Sequence, residues 1–342
     1  MNRMELTQAL QRLIHGPELD LDEYRQLFDL LTSEEANDVQ RAGVLTMIEA
    51  DKKRYPEAML AFARAMRLAA VRMPTPIEGL VDTCGTGGGS PSFNLSTAAA
   101  FVVAAAGGRV AKHGNRSVTS NCGSADVLEA LGARIDLSMD QARIVLERTG
   151  MMFLFAPLMH PAMRALGPVR KALGVRTIFN RLGPLTNPSN ADYQLIGFWS
   201  VDAIEPAAHC ARDLGIKKVM AVASQDGLDE VSATGPTYAC LASEEGFKML
   251  RLTPDQLGIA KGTTVELTPG ATIEENATIL RDAVSGDIPA RAAAVVPNAA
   301  AALWLAGIGA NLSDSAEIAW DTIRSGKAMA KVDEFVAATQ SV

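Results

Sequence analysis

Four of the five residues Gly85–Gly89 are glycine, and Ser92, Asn94, Ser96 and Thr97 follow within a few positions. Glycine lets main chain approach a ligand closely, and free N–H groups at a helix start attract phosphate. Ahead of the glycines, Val81-Asp82-Thr83 reads as a short strand; behind them, Thr97 opens an apolar helix. Strand, glycine turn and helix start together make an anion site. The segment has neither the GK[ST] of a Walker A loop nor the GxGxxG of a dinucleotide fingerprint. A tight turn with Ser96 or Thr97 as an ordinary N-cap fits the same order. It leaves the four glycines and the polar set unexplained.

Two further stretches carry chemistry. In KHGNRSVTS, Lys112 offers a point charge, Asn115 an amide fork, and Ser117, Thr119 and Ser120 hydroxyls. The stretch follows the strand Arg109–Ala111, which puts it at a strand's carboxyl end, where α/β sheets bind ligands. His113 fits a buried, hydrogen-bonded histidine as well as a ligand contact, and nothing beside it marks a general base. Asp229-Glu230 follows the strand Lys217–Ala223. Adjacent carboxylates are hard ligands suited to Mg²⁺; taken alone, they read more readily as a solvated acidic turn.

The elements that must position these residues follow from periodicity. Leu6, Leu10 and Leu13, then Tyr24, Leu27, Leu30 and Leu31, recur at helical spacing, so about the first 70 residues read as helices. Helix starts are expected at Ser33-Glu34-Glu35 and at Tyr55-Pro56-Glu57, whose acids favour the helix dipole. Thr75-Pro76 breaks the pattern. Beyond it strands and helices alternate: strand Gly79–Thr83, helix Thr97–Ala106, strand Arg109–Ala111, helix Ala125–Leu131, strand Arg134–Leu137. That alternation marks parallel α/β architecture. Gln194–Trp199 and Lys217–Ala223 are further expected strands around a helix at Pro206–Leu214, and Glu274–Val284, Arg291–Ala306 and Ser315–Gly326 are expected helices. The reading is therefore a small all-helical domain, 1–74, and a large α/β domain, 75–167 and 191–342, with a central, mainly parallel sheet flanked by helices. Residues 168–190, a short basic helix VRKALGVR and a Gly/Pro-bounded loop, are expected to pack onto the helical domain.

Composition removes several classes. A chain of 342 residues, 48% hydrophobic and 21% charged, can bury an ample core. A net charge of −7 disfavours nonspecific nucleic-acid binding. The four cysteines, Cys84, Cys122, Cys210 and Cys240, form no CxxC pair, which argues against a zinc ribbon or disulfide scaffold and for reduced thiols. The N-terminal MNRMELTQALQRLIHG has no signal-peptide core, and apolar runs such as Ala98–Ala106 fall short of the ~18 residues of a membrane span. A cytoplasmic protein, with neither membrane nor nucleic acid as partner, is expected.

DTCGTGG, FNLSTA, KHGNRSVTS, RTIFNRLGPLTNP and DGLDEVS occur in this order, and over nearly the whole chain the pattern resembles the anthranilate phosphoribosyltransferase family. RTIFNRLGPLTNP is the most distinctive of these motifs. The resemblance implies a small helical domain joined to a large α/β domain, a homodimer formed through the helical domain, and an active site between the domains. The implied ligands are phosphoribosyl pyrophosphate, anthranilate and one or two Mg²⁺ ions. To phosphoribosyl pyrophosphate it assigns Gly85, Gly88, Gly89, Ser92, Asn94, Leu95, Ser96, Thr97, Lys112, His113, Gly114, Asn115, Arg116, Ser117, Val118, Thr119, Ser120 and Ser124. Ser96, Asp229 and Glu230 match the magnesium positions, and Gly85, Asn115 and Arg170 the anthranilate pocket, with Arg170 receiving the carboxylate. Taken alone, Arg170 reads equally as a surface arginine on the basic helix VRKALGVR. No discrete acid or base is implied, because Lys112, Asn115 and Arg170 act by positioning.

The implied reaction moves 5-phosphoribose to the anthranilate amine, giving N-(5-phosphoribosyl)anthranilate and pyrophosphate, the second step of tryptophan synthesis from chorismate. One departure stands out: the family commonly has an acid directly after GTGG, where this chain has Gly89 and a loop one residue shorter before Phe93-Asn94. Two other readings share the fold, a pyrimidine nucleoside phosphorylase-like enzyme and an inactive nucleic-acid-binding paralogue. Arg170 and RTIFNRLGPLTNP disfavour the first; the net charge of −7, Lys112 and Asp229-Glu230 disfavour the second.

Overall fold

The N-terminal leucines do line one face of successive helices, Leu6–His15, Leu21–Thr32, Asp38–Ala50 and Tyr55–Ala69. The computed structural model describes residues 5–117 and 121–342. Tyr55-Pro56 opens its helix as expected, since proline at a first turn gives up no needed N–H. The start expected at Ser33 is a stop. Ser33 caps the preceding helix, its N–H and hydroxyl both donating to Leu30 O, and the next helix begins after Asn37. Asn37 and Gln40 there exchange side-chain-to-main-chain bonds, which satisfy two otherwise orphaned N–H groups.

One compact unit joins the chain up to Val71 with Pro157–Pro188; the other is Arg72–Ala156 with Ser189–Val342. The helical unit's core includes Phe62 between Phe28 and Phe179, ring centroids 5.6 and 5.7 Å away. Residues 157–167, assigned by sequence to the larger domain, belong here. Val71 N–H donates to Met159 O at 2.9 Å, and the buried His160 ring bonds main chain at Met66 and Thr186.

The larger unit is built on seven strands: β1 Leu80–Gly85, β2 Arg109–Gly114, β3 Met151–Phe155, β4 Tyr193–Gly197, β5 Lys218–Ser224, β6 Thr237–Ser243 and β7 Gly246–Leu252. They lie in the order β3-β2-β1-β4-β5-β6-β7, parallel from β3 to β5 and antiparallel beyond. The order turns back between β1 and β4, and a ligand crevice is expected outside their carboxyl ends.

Several expected elements moved. Arg134–Leu137 is not a strand: Arg134 N–H goes to Thr339 Oγ1 rather than to a sheet neighbour. The strand beside β2 is instead MMFLF at Met151–Phe155, a continuous apolar run typical of a strand covered on both faces. β2 runs on through Lys112, His113 and Gly114, because β3 pairs with each of them. The helix after the glycine loop starts at Leu95, two residues before Thr97, with Asn94 as its N-cap. The hairpin β6–β7 and a last helix, Lys327–Gln340, went unread. All four cysteines are free and buried. Among the described residues no single helix is long and apolar enough to cross a membrane.

Candidate active site

The glycines after β1 make room for an aspartate. The loop that follows β5 crosses the end of β4 and brings Asp229 onto the glycine loop. A Cβ at Gly197, the last residue of β4, would lie 1.6 Å from Asp229 O; one at Gly85 would lie 2.7 Å from Asp229 Oδ2, and one at Gly89 2.5 Å from Asp229 N. No side chain fits at those distances. In exchange, Asp229 Oδ2 accepts the Gly87 N–H at 2.6 Å and the Thr86 hydroxyl at 3.2 Å. Gly87 reaches this position with φ +68, which glycine adopts without steric cost. Bare backbone is therefore needed at Gly85 and Gly89 even before any phosphate is considered.

Behind the loop, Asn94 caps the helix Leu95–Ala105 and donates through Nδ2 to Cys122 O at 3.1 Å. Leu95 is buried, and its N–H already donates to Phe93 O, so it has no free donor to offer a phosphate. Thr97 is buried too, and its hydroxyl and Asn94 Oδ1 have no hydrogen-bond partner among the described residues. Ser92 and Gly88 complete the loop, both partly exposed.

Lys112 is 1% exposed, in the middle of β2. Its ammonium donates to Thr83 O at 2.5 Å and to Ser96 Oγ at 3.2 Å. Burial lowers its pKa below the ordinary lysine value, and the charges of Asp82, Cys84 and Glu230 oppose that shift. Ser96 also gives its N–H to the Glu230 carboxylate. Burial, and then Asp229 beside it, push Glu230 up to about 8 against Lys112 and Ser96. The helix start, the lysine and the acid pair thus meet at the carboxyl ends of β1, β2 and β5. Asp82, fully buried, accepts the His113 N–H at 3.3 Å and Gln194 Nε2 at 3.2 Å.

Next to Lys112, the residues around Asn115 and those around Ser124 are tied to one another. Asn115 is exposed; its carbonyl accepts the Ala125 N–H and the Ser124 hydroxyl, and its Oδ1 the Arg116 N–H. Gly114 packs against Ser124 and Phe153, which leave no space for a Cβ. Arg116 is paired with Asp126 at 2.9 Å and with Glu129, so its guanidinium already has two carboxylate partners. Asp126 also accepts the N–H groups of Ser117 at 3.0 Å and Gly123 at 2.9 Å. Although burial raises its pKa, those two N–H groups and Arg116 hold it below the ordinary carboxylate value. Val118, Thr119 and Ser120 lie outside the described residues.

Arg170 belongs to the helical unit, on the helix Gly167–Leu173. It is partly buried, with its guanidinium 5.7 Å from the Phe179 ring centroid, and burial lowers its pKa. It is not a free surface arginine. In the same unit the Thr177 hydroxyl is buried without a hydrogen-bond partner among the described residues.

Among the described residues, no three His, Cys, Asp or Glu side chains converge to hold a metal. The acid pair nevertheless suits Mg²⁺, which binds through one or two carboxylates and takes its other ligands from water and phosphates. Like charges at Asp229 and Glu230 raise Glu230's proton affinity, and a cation would relieve that repulsion.

Sequence reasoning missed the residues that hold this apparatus in place. Asp226 accepts hydroxyls from Ser224, Ser232 and Thr234, each at 2.5 Å. The hydroxyl-rich spelling SQDGLDEVSAT was the available signal. Asn298, in the helix Pro289–Leu305, binds Val231 main chain at 2.9 and 3.0 Å from 67 residues away, and nothing local announces it.

Comparison with known proteins bears on the family and the fold. Residues 78–329 match the family described as glycosyl transferase family, a/b domain, and residues 7–70 the glycosyl transferase family, helical bundle domain. The anthranilate phosphoribosyltransferase of Moorella thermoacetica is 41% identical over 98% of this chain and 99% of its own length. That of Alkalilimnicola ehrlichii is 41% identical over 99% of this chain and all of its own. Among solved structures, the Thermus thermophilus enzyme superposes with a TM-score of 0.87 at 36% identity, covering 97% of this chain and 99% of the other. The Saccharomyces cerevisiae enzyme in complex with PRPP and Mg has the same fold, with a TM-score of 0.85 at 24% identity and 98% of each chain covered. With full-length identity at this level and both domain families matched in order, the chain belongs to the anthranilate phosphoribosyltransferases of the glycosyl transferase family.

Proposed function

We propose that this anthranilate phosphoribosyltransferase works by positioning a phosphorylated sugar against its acceptor at the carboxyl ends of β1, β2 and β5. The observation that carries the reading is the buried Lys112, whose ammonium is tied to Ser96 at a helix start while Ser96 N–H holds Glu230. A fixed cation, a helix N-terminus and paired carboxylates together suit a diphosphate and its metal.

In the reaction the bond from the sugar's anomeric carbon to pyrophosphate breaks, and a bond to the anthranilate nitrogen forms from the opposite face. The amine's surplus proton passes to solvent. Pyrophosphate takes the bonding pair, so charge builds on its oxygens. The hydroxyls of Ser92, Ser96 and Thr97 and the loop main chain at Gly88 serve that charge in this reading, and Lys112 adds a fixed positive charge. Asp229, Glu230 and Ser96 would hold magnesium, which supplies further charge neutralisation at the departing phosphates when bound. Asn115 and Gly85 face the acceptor in this reading, and Arg170 takes its carboxylate through a planar guanidinium fork. A neutral aromatic amine needs no strong base, so rate comes from orientation.

The reading extends to a homodimer through the helical unit, supported by exposed Ile14 and Val39 there, 51% and 82% accessible, and to a cytoplasmic setting. The test follows anthranilate fluorescence in the purified protein with phosphoribosyl pyrophosphate and Mg²⁺, then with EDTA. A metal-dependent loss of signal is expected, and it would also establish that the loop works with Gly89 after GTGG. A folded protein that leaves the signal unchanged in both runs overturns the reading.

A further inference from the structure

In the larger unit Asn298 is a buried polar side chain that reaches the acid loop from a distant helix. It sits at 0% exposure in the alanine-rich helix Pro289–Leu305, directly after the helix's internal Pro297. A buried carboxamide is costly unless its donor and acceptor are both satisfied. Here both are met by a single residue: Val231 N–H donates to Asn298 Oδ1 at 2.9 Å, and Asn298 Nδ2 donates to Val231 O at 3.0 Å. Val231 directly follows Glu230.

On the other side of the acid pair the anchors come from the glycine loop. Ser90 N–H donates to Gly227 O at 2.7 Å, and Ser90 Oγ to Asp226 O at 2.9 Å. Gly227 has φ +86, and a Cβ there would lie 2.6 Å from Ser90 Oγ, so the contact is close-fitting. Asp229 and Glu230 are therefore clamped at both ends, at residues 226–227 by Ser90 and at 231 by Asn298. Neither clamp uses a carboxylate oxygen of the pair, which leaves the acids' free lone pairs for a ligand.

We propose that Asn298 and Ser90 are positioning residues for the Asp229-Glu230 pair, holding its two carboxylates in the register that takes a divalent cation together with a diphosphate. The inference rests on the metal-site reading above. Main-chain freedom at 229–230 would let the like-charged side chains separate, and a cation bound by both would lose one of them. Supporting partners of metal ligands generally change metal affinity or activity by ~10–100-fold when removed.

The test uses Mn²⁺ as a spectroscopic stand-in and inorganic pyrophosphate as the diphosphate. Mn²⁺ binding to the full chain is followed by electron paramagnetic resonance for wild type, N298A and S90A, beside steady-state kinetics. Both variants should bind Mn²⁺ with pyrophosphate ~10-fold more weakly and need correspondingly more Mg²⁺ for half-maximal rate. Their KM for anthranilate should stay at the wild-type value, a split that general loosening of the fold would not produce. Ser90 is exposed, so S90A decides the matter where N298A fails to fold. Wild-type metal binding with unchanged binding in the folded variants overturns the positioning role alone. Wild type that binds no Mn²⁺ with pyrophosphate overturns the metal site, and the positioning role falls with it.

Discussion

Asp229 and Glu230 are neighbours in sequence yet meet different surroundings. Asp229 is folded into the glycine loop through Gly87 and Thr86, whereas Glu230 faces Ser96 and the buried lysine. Exchanging both for their amides keeps an acceptor oxygen for each of those donors, so the fold should survive. The charge that a cation and a diphosphate require is removed. Asp229→Asn with Glu230→Gln should therefore keep its unfolding transition and lose at least about a hundredfold in turnover, several kcal/mol of charge stabilisation being at stake. Unchanged magnesium-dependent kinetics in the double variant would sink the metal assignment. Of the residues at this site, Lys112 and Ser96 could be picked out from type and spacing as contacts for an anion, and the acid pair only through the family resemblance. Asn298, Ser90 and Asp226 could not, because their importance lies in contacts between chain segments 67 to 136 residues apart, and in a folded acid loop no local pattern spells out.

At the scale of elements, His160 shows how burial turns a local segment into a source of pH dependence. It is 5% exposed, and burial lowers its pKa to about 4 despite main-chain bonds at Met66 and Thr186 that favour the charged form. Unfolding restores the ordinary histidine value of 6.5, so the unfolded chain takes up a proton first as pH falls. The histidine's contribution is complete above pH 6.5 and is lost progressively down to about 4, reaching a deficit of about 2 kcal/mol near pH 5. Urea unfolding at pH 7.5 and 5.0 should show this loss in the wild type and a smaller one in His160→Gln; equal losses would remove His160 as the cause. Element reading from sequence was good where apolar spacing was regular and poor at punctuation. Ser33 looked like a start because acids follow it, but Asn37 and Gln40 form the better cap. β3 was missed because a continuous apolar run carries no alternation to mark it as a strand, and only a place beside β2 makes it one.

For the whole molecule, the proposed homodimer is the property furthest from local chemistry. Light scattering after size exclusion should give about twice the 36.2 kDa of one chain. A charged substitution at Val39, 82% exposed on the helical unit, should shift that mass toward the monomer and leave helical content unchanged. A wild-type mass of one chain rules out the dimer.

Composition and periodicity by themselves determined the architecture, a helical unit and a mainly parallel α/β unit, because burying apolar faces leaves few ways to stack such elements. Motif spelling by itself determined the family, since RTIFNRLGPLTNP and its companions occur in order along the chain. Tertiary structure alone decided why the glycines are there. Gly85, Gly89 and Gly197 come from two strand ends far apart in sequence, and each is bare because Asp229 passes where its Cβ would stand. Excluded volume between distant segments leaves no trace in the order of residues until the chain has closed upon itself.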